Sequence, residues 1–360
     1  MKSNKVFQLV VLGLVLGLFL APPLAQAKKV VLKTQSIYSL ATPLLGDSLT
    51  LFARQVEKAS NGEVIFKAFD QDKLVPGMEI LDAVSSGTIQ AGYASAGFWA
   101  GKLAAAPLFG TVPFGPEAPE YLSWMFQGNG LKLYQEMYDR AGFKVKAFPV
   151  VILSPETSGW FAKEIKSPDD LHGLKMRFFG LGGNVMQKLG VSVTLLPPAE
   201  IFPALEKRVI DATEYSMPVI DKSLGFYKIV KFNYYPGWHQ QATYLELLIN
   251  KDVWEKEMTE AQRALVEMAV QASLTQSLAR SEGIQGAVIK ENVTKRGVQN
   301  MFWSDDMLAA FKKAWGKVLE EQCAKDEFFK KVWDDLAAFR SDYAYWSNLG
   351  FLPRNTGPRH

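Results

Sequence analysis

VVLKTQSIYSLATPLLGDSLTLFARQVEKASNGEVIFKAF, residues 30–69, decides the fold. It opens with a β-branched run, Val30–Thr34, which is typical of a strand, and leads through Ser, Thr and Pro into a helical segment, Leu45–Ala59. Asn61-Gly62 then turns the chain into a second strand-like run, Val64–Phe69. Because a helix separates the two strands they cannot form a hairpin, so the order predicts parallel strands covered by helices.

The same alternation continues along the chain. Strand-like segments follow at Ile89–Tyr93, Phe143–Phe148, Gly159–Phe161, Lys175–Phe178, Val191–Leu196 and Ala212–Glu214, and helical ones at Met78–Ser85, Gly183–Leu189, Ala199–Glu206, Thr259–Thr294 and Ser304–Asn348. This pattern predicts an α/β, two-lobed periplasmic binding protein with mixed, largely parallel sheets, a hinged cleft and long C-terminal helices. We expect a first lobe mainly in 28–150, a second mainly in 151–250, and a helical region, 251–360, that braces both, with discontinuous boundaries.

The N-terminus predicts export. Lys2 and Lys5 precede an apolar run, Val6–Leu20, and Ala25-Gln26-Ala27 has the small-x-small pattern that signal peptidase accepts. The run is shorter than the roughly 20 residues that a membrane-spanning helix needs. We therefore expect residues 1–27 to be a signal peptide cleaved after Ala27, and the mature chain to be periplasmic.

Composition and motifs exclude several functions. The 360 residues contain 40 Lys and Arg and 37 Asp and Glu, and removal of Lys2 and Lys5 leaves 38 against 37, a net charge of +1. Proteins that bind nucleic acid through its phosphates normally carry a basic excess, so no nucleic-acid partner is expected. The chain has no P-loop, no Gly-x-Ser-x-Gly and no His-Glu-x-x-His. Its histidines, His172, His239 and His360, are far apart in sequence, which argues against a histidine-rich metal site or a triad.

Two charged residues stand at predicted strand ends, where the ligands of open α/β sheets bind. Arg177 is either part of a structural salt bridge or a clamp for a ligand carboxylate, and spacing alone does not decide between them. Glu214 is likewise either a solvated glutamate or a ligand of a hard cation. We expect Phe98 and Trp99 to line the wall of a ligand pocket; packing in the hydrophobic core is the alternative.

A set of motifs, in the same order along essentially the whole mature chain, resembles one family. The two longest are DDLHGLKMR at 169–177 and PALEKRVIDATE at 203–214; the others are KLVP at 73–76, DAVSSG at 82–87, VPFG at 112–115, GWFAKEI at 159–165, LGFYK at 224–228 and YPGW at 235–238. The set resembles the extracytoplasmic solute receptors of TRAP (tripartite ATP-independent periplasmic) transporters, and in particular the branch that binds α-keto acids such as pyruvate.

The resemblance implies roles for individual positions. Arg177 matches the carboxylate clamp of those receptors, and Glu156 matches a residue that contacts the substrate. Glu214, the carbonyl of Tyr215 and the side chain of Gln240 match the ligands of a metal ion, which is usually sodium in that branch. Tyr215 also borders the substrate. The implied ligand is a small 2-oxo or 2-hydroxy carboxylate, the implied partners are membrane permease subunits, and a homodimer is an option.

This chain departs from the branch at charged positions. Glu156 stands where the branch has glutamine, Gln240 where it commonly has glutamate, and Tyr215 where it commonly has tryptophan. A carboxylate at 156 repels an anionic ligand unless it is protonated or bound to the metal, so we expect Glu156 to approach the cation. Sodium is the expected ion, and calcium is the alternative because a divalent ion neutralises two carboxylates.

Two other functions remain open from the sequence. An exported lyase or hydrolase would use Glu156 and Glu214 as paired carboxylates, as glycosidases do, but no further acid–base partner is recognisable. A sensor that presents its ligand to a signalling protein would share the receptor's pocket.

Overall fold

The computed structural model describes residues 29–352, so the predicted signal peptide lies outside the described residues. The strands are β1 (Val30–Ser36), β2 (Val64–Phe69), β3 (Ala91–Ala94), β4 (Val145–Leu153), β5 (Gly159–Phe161), β6 (Lys175–Arg177), β7 (Ser192–Thr194), β8 (Ala212–Thr213), β9 (Phe232–Tyr235), β10 (Thr243–Asn250) and β11 (Gln299–Phe302).

The α-helices alternate with these strands and then dominate the C-terminal part. They are α1 (Gly46–Ala59), α2 (Ile80–Ser85), α3 (Ala118–Gln127), α4 (Gly130–Arg140), α5 (Gly180–Lys188), α6 (Pro198–Glu206), α7 (Pro218–Leu224), α8 (Glu260–Arg296), α9 (Asp305–Lys325) and α10 (Glu327–Gly350). Among residues 29–352 there is no helix with the length and apolar character that crossing a bilayer requires.

The first sheet has the strand order β2-β1-β3-β10-β4. The strands β1, β2 and β3 are parallel, as the spacing of the first segments predicts, whereas β10 runs antiparallel to both of its neighbours. Both β10 and β4 are buried along almost their whole length, which explains their predominantly apolar sequences. The chain therefore returns to the first sheet after residue 242, a crossing that the sequence did not reveal.

The second sheet has the strand order β11-β9-β5-β8-β6-β7. The neighbours β6 and β8 are parallel, with Met176 opposite Ala212 and Arg177 opposite Thr213. Since their carboxyl ends lie at the same edge, the residues that follow these positions face the same space. The candidate site therefore lies at this edge of the second sheet, beyond the carboxyl ends of β6 and β8.

The helix α8 contacts the end of β4 in the first sheet and also α7, which follows β8 of the second sheet. On one side the backbone N–H of Ile152 donates to Ser277 Oγ and that of Ser154 to Ser281 Oγ, each at 3.1 Å. Further along, the N–H of Val219, in α7, donates to Gln285 Oε1 at 3.1 Å. The helix begins with a capping box at Thr259 and ends at Gly297, which has a positive φ of 66°.

One long C-terminal segment differs from its prediction. The region expected to be helical from Ser304 to Asn348 is two helices, α9 and α10, which are separated at Asp326. The Asp326 side chain caps α10 by accepting a hydrogen bond from Phe329 N at 2.6 Å. Gly350, predicted to follow the helix, belongs to its last turn.

Candidate functional site

The site begins where β6 and β8 end. Glu214 follows Thr213 directly, and its N–H donates to the carbonyl of Arg177 at 3.0 Å, which extends the pairing of the two strands. Arg177 is only 1% exposed and Glu214 is fully buried. The two predicted strand-end residues therefore lie side by side inside the protein.

Arg177 and Glu214 form a buried ion pair that occupies only part of each group. The Nη1 of Arg177 donates to Glu214 Oε2 at 2.9 Å and also to the Glu214 carbonyl. The N–H of Phe179 donates to the same Oε2 at 3.1 Å. Within the described chain the Nε of Arg177 and the Oε1 of Glu214 are buried and have no hydrogen-bond partner. Both groups thus keep a polar edge that is free to bind a ligand.

Glu156 lies opposite, in the segment that connects β4 to β5. Its Oε1 accepts hydrogen bonds from the hydroxyls of Ser216 at 3.0 Å and Thr243 at 3.2 Å. Its Oε2 is buried without a partner among the described residues. Gly237 makes this position possible, because a Cβ there would lie 2.2 Å from the Glu156 carbonyl oxygen.

His239 completes the cluster, and it is the only one of the three histidines that the described residues place there. Its Nε2 lies 3.6 Å from Glu156 Oε2 and 3.5 Å from Glu214 Oε1, and it is 1% exposed. Both ring nitrogens are without a hydrogen-bond partner in the described part of the protein. One donor atom from each of the three residues falls within 4.8 Å of the other two. The only sequence signal for His239 was its position next to Gln240 in the loop after Pro-Gly-Trp.

Gln240 and Tyr215 adjoin this cluster. The Nε2 of Gln240 donates to Thr243 Oγ1 at 2.6 Å, which leaves its Oε1 buried and unpaired within residues 29–352. The ring of Tyr215 lies 5.2 Å from the Arg177 guanidinium carbon. The unpaired oxygens of Glu156, Glu214 and Gln240 and the Nε2 of His239 are atoms that a cation would use, so this donor set fits a metal ion.

The electrostatics of the cluster follow from burial and close charges. Burial raises the pKa of Glu156 to about 7, and the nearby imidazole of His239 opposes the rise. Burial also acts to raise the pKa of Glu214, but Arg177 and His239 together hold it below its usual value. Burial acts to lower the pKa of His239, but the two carboxylates raise it to about 9. The site therefore attracts positive charge, as a proton on His239 or as a bound cation.

Aromatic rings from the two lobes meet beside the charged groups. The centroids of Phe98 and Phe179 are 4.6 Å apart, and Phe179 lies 5.9 Å from the Arg177 guanidinium carbon. Trp99 is buried and donates its indole N–H to Glu246, so its polar edge points into the first lobe. Tyr38, which the sequence did not single out, is 6.3 Å from Phe98, and the charges of Tyr215 and Glu156 add to the rise that burial causes in its pKa.

A groove of about 640 Å³ runs along this contact, lined by Phe98, Trp99 and Gly101 on one side and by Phe178 and Leu181 on the other. The structure brings together Glu156, Arg177, Glu214, Tyr215 and Gln240, and it places Phe98 at their edge. Such a buried, rigid set of charged groups beside aromatic rings is suited to the binding of a small anion together with a cation.

Comparison with known proteins gives a consistent result. The profile of the family described as bacterial extracellular solute-binding protein, family 7, matches residues 37–326. A monocarboxylate 2-oxoacid-binding periplasmic protein of a Nostoc species is 37% identical over 300 residues, which cover 83% of this chain and 81% of that protein.

Two solved structures resemble the fold closely. A TRAP periplasmic solute-binding protein of Pseudoalteromonas atlantica, with bound sodium and pyruvate, has a TM-score of 0.85 and 30% identity, covering 90% of this chain and 97% of that one. A TRAP solute-binding protein of Bordetella bronchiseptica, a mixed-occupancy dimer with copurified calcium and picolinate, has a TM-score of 0.86 and 28% identity, covering 90% and 95%. These likenesses confirm the predicted two-lobed α/β architecture.

Proposed function

Because the chain belongs to the bacterial extracellular solute-binding proteins of family 7, the receptors of TRAP transporters, we propose that it binds a small 2-oxo or 2-hydroxy carboxylate of the pyruvate or lactate type. Membership confirms the predicted receptor role, since these proteins bind solutes for transport and are not enzymes. The hypothesis of a paired-carboxylate lyase or hydrolase is set aside on the same ground.

The observation that carries the proposal is the free edge of Arg177. Its Nε is buried and unpaired among the described residues while Nη1 is held by Glu214. The guanidinium is planar, so when Glu214 holds Nη1 the Nε edge remains able to donate to a ligand carboxylate. A hydrogen bond between these two charged groups is charge-assisted and therefore strong. We assign the ligand's carboxylate to this edge. The 2-oxo or 2-hydroxy oxygen then lies toward Glu156 and Glu214.

A cation between Glu156 and Glu214 is the second part of the proposal. The solved relatives hold sodium in one case and calcium in another. The candidate ligands are the unpaired oxygens of Glu156, Glu214 and Gln240, joined by the carbonyl of Tyr215. A cation there offsets the repulsion between Glu156 and an anionic ligand. The resemblance implies sodium, with calcium as the alternative, and two buried carboxylates favour a divalent ion.

Aromatic rings limit the ligand to a small molecule. Phe98, Phe179 and Tyr38 close over the polar groups from the first lobe and the second, and all three are buried. Tyr215 carries a hydroxyl that a tryptophan would lack, so a ligand with one additional polar group is compatible with the wall. Trp99 lines the groove and does not take part in the contact between Phe98 and Phe179. Its hydrogen bond to Glu246 holds the indole in place next to Phe98.

Delivery to membrane permease subunits follows from the family, whose members are periplasmic. For this chain we propose cleavage after Ala27, which the intact mass of the exported protein checks: an N-terminus other than Lys28 would contradict it.

Uptake by vesicles that contain the permease separates transport from the sensor hypothesis, because a sensor leaves the solute outside.

We also propose a homodimer through the end of α10. Tyr345, Trp346 and Leu349 are 78%, 59% and 76% exposed there, whereas Trp315 and Trp333 pack against each other at 5.7 Å. The solved relative from Bordetella bronchiseptica is a dimer.

Light scattering of the unmodified protein should give twice the chain mass, and Trp346→Glu should convert the dimer to a monomer. A monomeric unmodified protein would refute this assignment.

The ligand class is tested by thermal unfolding with small carboxylates at fixed cation. Pyruvate at about 100 times its dissociation constant should add roughly 2.7 kcal/mol of stability, and acetate, which lacks the second oxygen, should add much less. Arg177→Lys keeps a positive charge beside Glu214 but loses the second donor edge, so it should weaken pyruvate binding by roughly 1.5–3 kcal/mol. Equal shifts for pyruvate and acetate, or unchanged binding in Arg177→Lys, would sink the assignment.

Closure of the two lobes has its own test at Gly97. A Cβ at this residue would lie 2.6 and 2.9 Å from ring carbons of Phe179, across the cleft. Gly97→Ala should therefore hinder closure and weaken pyruvate binding about tenfold, or about 1.4 kcal/mol, with little change in the melting temperature of the ligand-free protein. Calorimetry measures the affinity. Gly101→Ala is the matched control, because a Cβ there meets nothing within 4 Å; equal affinities in both variants would contradict closure at this contact.

A further inference from the structure

The imidazole of His239 is the feature that the proposed function does not yet explain. It lies between Glu156 and Glu214, is 1% exposed, and neither ring nitrogen has a hydrogen-bond partner in the described chain. A buried imidazole normally has at least one partner for its N–H. Its Nε2 instead points at two carboxylate oxygens that are also without partners.

The distances suit ligands of one ion better than hydrogen bonds. The Nε2 of His239 is 3.6 Å from Glu156 Oε2 and 3.5 Å from Glu214 Oε1, which is too long for a strong charge-assisted hydrogen bond. Two ligands that bind one ion tetrahedrally, with bonds of about 2.1 Å, lie about 3.4 Å apart. The three donor atoms are within 4.8 Å of one another, so small shifts bring all of them to one ion.

The nature of the donors determines which ions fit best. Sodium and calcium are hard cations that prefer oxygen ligands, whereas a set of one imidazole nitrogen and two carboxylate oxygens is typical of zinc and related divalent metals. We infer that His239 Nε2, Glu156 and Glu214 bind a borderline divalent metal ion of the zinc type, in preference to sodium or calcium. This inference rests on the proposed function in placing the ion beside the solute.

Charge balance supports a divalent ion. A metal ion binds Nε2 of His239 only after the imidazole has lost its added proton; Glu156 and Glu214 then contribute two negative charges and Arg177 one positive charge in a buried site. A divalent ion brings the sum to +1, and a monocarboxylate ligand then brings it to zero. With a monovalent ion the loaded site would carry a net negative charge, which is costly to bury.

Metal binding is measured directly, without any solute. The mature chain is stripped with chelator, and Zn²⁺, Ca²⁺ and Na⁺ are titrated by calorimetry, with Co²⁺ as a spectroscopic probe. We expect one Zn²⁺ per chain, bound more tightly than Ca²⁺, and a Co²⁺ complex whose visible absorption bands require His239. His239→Gln should weaken Zn²⁺ binding by at least the roughly 10- to 100-fold typical for loss of even an outer-shell partner, while Ca²⁺ binding changes little.

His172→Gln is the matched control, because His172 is exposed and lies in the turn before β6, whereas Arg177 and the cluster lie at the other end of that strand. It should leave both the Co²⁺ bands and the Zn²⁺ affinity unchanged. If His239→Gln does not fold, His239→Cys replaces it, since a thiolate retains the preference for zinc over calcium. Equal affinity of the unmodified chain for Zn²⁺ and Ca²⁺, or Co²⁺ bands that survive His239→Gln, overturns the inference.

Pyruvate binding, measured in parallel with sodium or calcium present, separates the two proposals. If pyruvate binds with those ions while Zn²⁺ does not bind at His239, the inference fails and the receptor function stands. If Zn²⁺ binds through His239 but no 2-oxo acid stabilises the loaded protein, the metal site stands and the proposed ligand class fails.

Discussion

Two carboxylates buried against one guanidinium are the constraint on which the site depends. Glu156 and Glu214 are each almost completely removed from water, and only Arg177 opposes them with a permanent charge. Burial of an uncompensated charge costs several kcal/mol, so the fold must either protonate one group or hold a cation there. The geometry around these side chains keeps one oxygen of each carboxylate satisfied and one available, which is the arrangement of a binding site.

A second layer of hydrogen bonds holds these groups in place. Asp221 accepts from Trp160 Nε1 at 2.8 Å and from the N–H of Ser216 at 3.1 Å, and the Ser216 hydroxyl in turn donates to Glu156. In the first lobe Glu246 accepts from Trp99, Tyr134 and Tyr138, which fixes the aromatic wall. Buried networks with every member satisfied are rigid, so both halves of the site are preorganised.

Local sequence patterns identified most of the elements but not all of the site. The strands Val64–Phe69 and Gly159–Phe161 and the end of α1 at Ala59 agree with their predictions, because turn residues and periodicity mark them clearly. The strand β10 was missed, since its leucine-rich run does not distinguish a buried strand from a helix. His239 was missed because its partners, Glu156 and Glu214, are distant in sequence. Their proximity depends on chain crossings that periodicity does not report, whereas the pairing of Arg177 with Glu214 follows from strand ends in one sheet.

The placement of the cluster on the chain has a consequence for the order of events. Glu156 lies between β4 of the first sheet and β5 of the second, and His239 and Gln240 lie between β9 of the second sheet and β10 of the first. These segments cross between the two sheets, and Glu214 adjoins them. The first lobe itself supplies aromatic rings but no charged group to the cluster. In the receptor proposed above, opening of the lobes would leave these charged groups together, so a solute would contact them before the aromatic rings of the first lobe close over it.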